Sequence, residues 1–480
     1  MTRALWILFI GAAIVAIASI ALARWPDVFA AGATANATTL PPRPPATAAP
    51  RGPERYLQLL SAHEDDVAVA LSAIEDEWDD THAVVLLETS RLTRRPVTHR
   101  ILGQLARMTG QDFGLDVDRW YEWIWASAFT PPEWYPAFKR ALYTRIDPRF
   151  DAYFPDTPPP VIRLDEVRWG GVKRDGIPPL ESPSMITAAA ATYLDDGDVV
   201  FGVAVNGDVR AYPKRILAWH ELFRDTIGGV PVAGVYCTLC GSMIVYESTV
   251  EGTTHTLGTS GFLYRSNKLM YDHATESLWS TLEGRPVVGP LATEDISLAS
   301  RSVVTTTWGA WRRRHPGTTV LAIDTGHRRD YREGAAYRRY FATDELMFTV
   351  PSRDVRLPNK AEILALRGPD GGHDTLAIEA AFLAERPVYH DVVGGQRFVV
   401  LTDGSGANRV FATGATTITA WDGTTQATDD TGRHWRVTEA ALVRADGGAR
   451  AARMSAHRAF WFGWFAAYPR TRLVHRASSG

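Results

Sequence analysis

Cys237 and Cys240 are the only cysteines in 480 residues, and they stand three apart in Tyr236-Cys-Thr-Leu-Cys-Gly241. On a turn, two sulfurs at this spacing point the same way, and a glycine after the second lets the backbone fold beneath them. Such a pair either chelates a soft metal or cycles between dithiol and disulfide. The flanks are apolar, with Val230, Val232 and Val235 before and Met243, Ile244 and Val245 after, so Val230 to Tyr246 is expected to run strand, tight turn, strand. A strand after the pair excludes a thioredoxin-type site, whose first cysteine sits at a helix N-terminus where the dipole lowers its pKa. Gly241, where a histidine would be needed, excludes covalent haem attachment.

A zinc or copper centre needs more than two sulfurs, so further ligands must come from His, Asp, Glu or Met. His220 shares one face of a short helix with Ile216 and Phe223, and Pro213 stands at its first turn. We therefore expect a metal set of Cys237, Cys240 and His220 holding copper or zinc, or else a dithiol site. His255 and His273 are weaker ligands, because both border polar turn residues and are expected to be exposed. Tyr236, Ser260, Tyr271, Asp272 and Trp279 are expected to support the site. Gly258-Thr-Ser-Gly261 reads as a glycine-bounded turn. It is not the nucleophile elbow of hydrolases, since Phe262 stands where the second glycine is required. Asp272-His-Ala-Thr275 reads as a hairpin turn with Asp272 bonding its backbone. The alternative is a non-catalytic envelope binding or structural protein, with the pair as a disulfide or metal staple. No nucleophile and base stand at a telling spacing, so the sequence names no reaction.

The elements that must position these residues give an α+β reading. Ala4 to Ala23 is an apolar run of bilayer length after Arg3. Residues 1–25 are expected to be an N-terminal membrane anchor or a signal, with the body on the extracytoplasmic side. Residues 26–54 are a Pro/Ala-rich linker. Residues 55–155 carry helical periodicity and many aromatics, with Asp116 and Asp118 suited to start the helix through Trp125. After Pro158-Pro159-Pro160 the period changes to strands. Residues 160–325 form a β-rich unit with the cysteines, residues 326–359 a bridge, and residues 360–480 a degenerate second β-rich unit. The two units share Gly228-Gly229 with Gly394-Gly395, and Trp311 through Thr318 with Trp464 through Thr471. This internal duplication places Cys237 opposite Asp403, Cys240 opposite Gly406 and His220 opposite Arg386, so any chemistry belongs to the first copy. The net charge of −3 offers no basic surplus for nucleic acid, and the membrane is the one partner expected.

Trp169-Gly-Gly-Val172, Asp175-Gly-Ile-Pro178, Arg210-Ala-Tyr-Pro213, Trp219-His-Glu221, Ile227-Gly-Gly229, the Tyr236 to Gly241 turn, Leu263-Tyr264 with Ser266, Met270-Tyr-Asp272 and Ser277-Leu-Trp279 occur in that order. Together they resemble the bacterial family called domain of unknown function 3179, over roughly Trp169 to Lys360. Thr109-Gly-Gln-Asp112 and Trp120-Tyr-Glu-Trp123 are similar to the helical segment that often precedes it. The resemblance implies an exported or membrane-anchored protein and confers no activity.

Overall fold

Apolar residues three and four apart make the first hundred described residues helical. The structure, a computed structural model, describes residues 52–369 and 374–476, all within the unit spanning residues 49–480. The apolar run Ala4–Ala23 lies outside the described residues, and among those described no helix is long and apolar enough to cross a membrane. Glu64–Asp76 buries Val67, Ala70, Leu71 and Ile74. Arg95–Thr109 ends at Gly110, whose left-handed φ of 69° supplies the usual helix stop. Asp116 caps Val117–Ala126 by accepting the Arg119 N–H. The aromatics of this helix pack inward, and one core runs from Tyr56 to Phe262 and Tyr271 of the β-rich body.

A polar knot sits in that core. Glu88 on Ala83–Ser90 accepts from Tyr135 Oη at 2.6 Å, from Lys139 Nζ at 2.6 Å and from Tyr143 Oη. Lys139 is fully buried and also donates to Val167 O at 2.8 Å, which ties the helices to the first strand of the body.

The body is built from antiparallel sheets, as its alternating patterns require. In one sheet the order is Val304–Thr307, Val199–Val205, Asp208–Pro213, Thr319–Leu321, with the last pairing parallel and an extra edge strand Met185–Thr187. In another it is His457–Phe460, Glu362–Arg367, Thr375–Glu379, Arg472–Val474, again with only the last pairing parallel. Each is followed by an antiparallel three-strand run. One is Leu222–Ile227, Val230–Cys237 and Ser242–Glu247; the other is Val388–Val393, Gln396–Thr402 and Asn408–Ala412. Both runs open on a two-residue turn with positive φ at both positions, 55° and 80° at Gly228-Gly229 and 53° and 74° at Gly394-Gly395. Glycine is the residue that meets this demand without strain. Trp311 Nε1 donates to Thr318 Oγ1 and Trp464 Nε1 to Thr471 Oγ1, each at 3.0 Å.

A further sheet carries Leu257–Tyr264, Asn267–Asp272, Leu278–Ser280 and Arg285–Val288, edged by Val167–Trp169. It corrects one expectation. Gly258 to Gly261 is not a turn but lies inside a strand whose register shifts between Thr259 and Leu263. Ser260 stabilises that irregularity, donating to Leu269 O at 2.6 Å and accepting the Phe262 N–H at 3.0 Å.

Candidate functional site

Cys237 ends the strand Val230–Cys237 and pairs across to Ser242, so the two cysteines occupy the turn between adjacent strands. The Cys240 N–H donates to Cys237 O at 3.2 Å, and Gly241 takes a left-handed φ of 59° to close the loop. Both cysteines are buried free thiols. Their sulfurs converge on one acceptor, Ser266 O, at 3.2 Å from Cys240 Sγ and 3.9 Å from Cys237 Sγ. That carbonyl belongs to a two-residue hairpin turn in which Arg265 and Ser266 have φ of 49° and 65°. Asparagine and glycine usually serve there, so the turn is strained. Arg265 holds it in place through Glu166 Oε2 at 2.5 Å and Ala466 O at 3.0 Å.

A buried ion pair stands beside the sulfurs. Glu221, also left-handed with φ 56°, lies 2.6 Å from Lys268 Nζ and accepts from Tyr337 Oη at 3.1 Å. Burial pushes both thiols up, and the Glu221 carboxylate adds to this. Within the pair, Cys240 bonds to Cys237, whose sulfur also receives the backbone N–H groups of Lys268 and Cys240. Cys237 is therefore held below the ordinary thiol range while Cys240 is driven well above it. Thr238 Oγ1 and Ser242 Oγ, beside Cys237 in sequence and across the strand pair, and Asn267 Oδ1, next to Ser266, are buried without a protein partner.

Two remote segments wall the site. Tyr340, Phe348 and Val350 pack in one cluster with Cys237, Leu239 and Cys240, and so do Phe460 and Phe462. The Phe460 N–H donates to Cys240 O at 2.7 Å. A β-carbon on Gly463 would lie 3.0 Å from Cys240 Sγ, so glycine is needed for this close approach.

His220 is not brought to the sulfurs as a ligand. It ends the helix Lys214–His220, and both ring nitrogens are engaged elsewhere, Nδ1 with Pro178 O at 2.8 Å and Nε2 with Tyr331 Oη at 2.5 Å. A carbonyl can only accept, so Nδ1 carries the proton and Nε2 accepts from Tyr331. Burial pushes its pKa down to about 4, keeping the ring neutral. No group of three or more His, Cys, Asp or Glu side chains able to hold a metal ion occurs among the described residues. The expected Cys237, Cys240, His220 set is thus not assembled, because the helix aims His220 at a different segment of chain.

The family model described as protein of unknown function (DUF3179) matches residues 174–471. The chain belongs to this family. The DUF3179 match runs well past Lys360, where the sequence resemblance stopped, and takes in the second set of sheets as well as the first. No curated protein and no solved structure matches the chain.

The remaining expected residues of this DUF3179 chain scatter. Tyr236 packs on Phe201, ring centroids 5.0 Å apart, in a cluster separate from the one that holds the cysteines. Asp272 accepts the Ala274 N–H of its turn, as expected, but also lies 3.1 Å from Nδ1 of His255, which is buried rather than exposed. Trp279 packs on that histidine ring at 4.9 Å. Tyr271 donates to Asp175 Oδ2 at 2.6 Å and lies 3.0 Å from His273 Nε2. Asp175 and His273 line a cleft of about 670 Å³ with Pro178, Arg224, Thr325 and His327. Sequence reasoning missed Glu221, Ser266, Lys268, Tyr337 and Tyr340. One signal was available: Lys268 directly precedes the apolar pair Leu269-Met270 in a short strand.

Proposed function

We propose that Cys237 and Cys240 are a two-electron thiol centre, with Cys237 the reacting sulfur, in a protein that Ala4–Ala23 holds at the outer face of a membrane. The observation that carries this is geometric: two free, buried thiols share one turn and converge on Ser266 O, 3.2 Å from Cys240 Sγ and 3.9 Å from Cys237 Sγ. Cys237 is favoured as thiolate by Cys240 and two N–H groups, while Cys240 keeps its proton. In the oxidising direction, Cys237 thiolate attacks the disulfide of a partner and releases one partner thiol. Cys240, losing its proton, then displaces the second partner sulfur and closes the internal disulfide. The pair gives up two electrons, and the partner leaves as a dithiol. Two sulfurs without further ligands suit a soft ion such as copper(I) better than zinc, which wants four donors.

The repeated strand orders and the paired Trp–Thr contacts support descent of both halves from one pattern. On that reading the second half fills the place of the thiol turn with Asp403 to Gly406. There the Asp403 carboxylate accepts from Ser405 and Ala407 N–H groups and from Arg409. An anionic sulfur at Cys237 fits the same role.

The test equilibrates the full chain in thiol redox buffers from about −300 to −120 mV. Alkylated thiols are counted by mass, and metal is measured in wild type and Cys237→Ser. One reversible two-thiol transition within that range supports the centre. A disulfide closed throughout makes the pair a staple, and one copper or zinc per chain lost in the variant makes it a metal site. Either result overturns the proposal.

A further inference from the structure

Residues 324–350 are rich in Arg and Tyr and hold one short helix, Arg338–Phe341. Their backbone-to-backbone bonds reach only neighbours within the segment, such as Ala335 N–H to Arg332 O and Phe341 N–H to Tyr337 O. No strand pairing ties them to the sheets. Side chains hold them instead: Glu333 pairs with Arg215, Asp344 accepts the Asn359 and Lys360 N–H groups, and Lys360 Nζ donates to Tyr340 O and Thr343 O. Three further points run from His220 across the thiols to the helical part.

The first point is at His220. Thr325 Oγ1 and Tyr331 Oη are 2.6 Å apart, and since Tyr331 donates to His220 Nε2, Thr325 must donate to Tyr331. Trp219 Nε1 adds a bond to Asp330 O at 2.8 Å, and the His327 ring packs on His220 with centroids 5.0 Å apart. The second point is over the thiols. Tyr337 Oη donates to Glu221, Tyr340 Oη donates to Leu239 O at 2.6 Å inside the cysteine turn, and Phe348 completes the cover. The third is on the helical part, where Thr349 donates to Glu122 and the Arg168 guanidinium lies over the Phe348 ring at 5.3 Å.

Taking Cys237 and Cys240 as the reacting pair proposed above, we infer that residues 324–350 are a lid over them, latched by the Thr325–Tyr331–His220 chain. A segment held by side chains opens at lower free energy than the paired sheets beneath it. The latch is also within reach of solvent, because Thr325 and His327 line the 670 Å³ cleft on its far side. His220 thus gains a role that its distance from any metal set leaves open. It is a positioning residue, holding the cover closed rather than touching the sulfurs.

The test reads access to the sulfurs and needs no redox activity. The full chain, purified reduced, is treated with iodoacetamide under native conditions, and the rate of alkylation is followed by mass. Tyr331→Phe removes the bond to His220 while keeping the ring, and its alkylation should be about tenfold faster. Thr325→Val should move the rate the same way by a smaller factor. In both, the rate should depend only weakly on urea, since lid opening exposes little surface compared with global unfolding. Unchanged rates in both variants overturn the lid. So does alkylation whose urea dependence matches global unfolding in every variant. If the pair proves to be a metal site or a staple, the reduced, metal-free chain still reports lid opening, so the two proposals fail separately.

Discussion

Removing the Glu88 carboxylate tests whether the buried polar knot holds the helical part to the body. In Glu88→Gln the Lys139 ammonium, fully buried, keeps Val167 O and the ring faces of Tyr135 and Tyr143 but loses the carboxylate it pairs with. Breaking one side of a buried ion pair costs about 3–5 kcal/mol. Burial already lowers the Lys139 pKa, and Glu88, more than Asp165, is what raises it, so the lysine in the variant can escape by losing its proton. We expect a loss of about 3 kcal/mol at pH 7. The sign with pH follows. A lysine whose folded pKa falls below its unfolded value makes the unfolded state bind more protons across that window, so the variant regains stability as pH rises toward the unfolded value. Adding Lys139→Met to Glu88→Gln removes the orphaned charge, and the double variant should be more stable than the sum of the singles by about 2 kcal/mol. The assay is urea unfolding followed by tryptophan fluorescence, to which Trp120 and Trp125, buried in the same core, contribute. A single-variant cost below about 1 kcal/mol, or additive singles, would refute the reasoning.

Two further outcomes follow from the same contacts. His220 is neutral when folded with a pKa near 4, below its unfolded value, so the stability it contributes is present above about pH 6.5 and is lost as pH falls toward 4. His327 and Arg329 nearby add to the penalty on its charged form. Between pH 7 and 4.5 wild type should lose about 2 kcal/mol more than His220→Gln, and an equal loss in both would remove the histidine from the account. Gly463→Ala forces a methyl to 3.0 Å from Cys240 Sγ and should cost about 1–3 kcal/mol, whereas Gly197→Ala meets no atom within 4 Å and should be near neutral. Equal effects at the two glycines would show that the wall at Cys240 yields freely.

Much of the scaffold was legible because periodicity reports burial. The alternation around Cys237 and Cys240 gave the strand-turn-strand, and the apolar spacing of residues 64–143 gave the helices. Partner identity was not legible. Which way His220 points is set by Tyr331, over a hundred residues later, and no local pattern encodes that contact. His255 was misjudged for a related reason. Its neighbours are polar, but Asp272 and Trp279 from the adjoining strands cover it. Gly258 and Gly261 looked like the ends of a turn because glycine marks turns more often than it marks irregular strands. The family resemblance stopped at Lys360 because the second half lacks the cysteine and histidine motifs, while its glycines and tryptophans are too sparse to read at a glance.

The bond from Phe460 N–H to Cys240 O has a consequence for how the site comes into being. The thiol turn is made early in the chain, but its nearest wall is supplied by residues more than two hundred positions later. The first half is therefore not a self-contained module, and a fragment ending near residue 360 would keep the cover from Tyr340 and Phe348 but leave Cys240 and Gly241 without the Phe460 to Gly463 wall. During synthesis the same holds in time. The N-terminal sheets and residues 324–350 can form while one side of the sulfurs remains open, and that side is sealed only when Phe460 and the last helix, Trp461–Ala467, arrive. Until then the two thiols meet whatever oxidant or ion the compartment contains, so the state in which the pair is finally enclosed is chosen before the fold is finished.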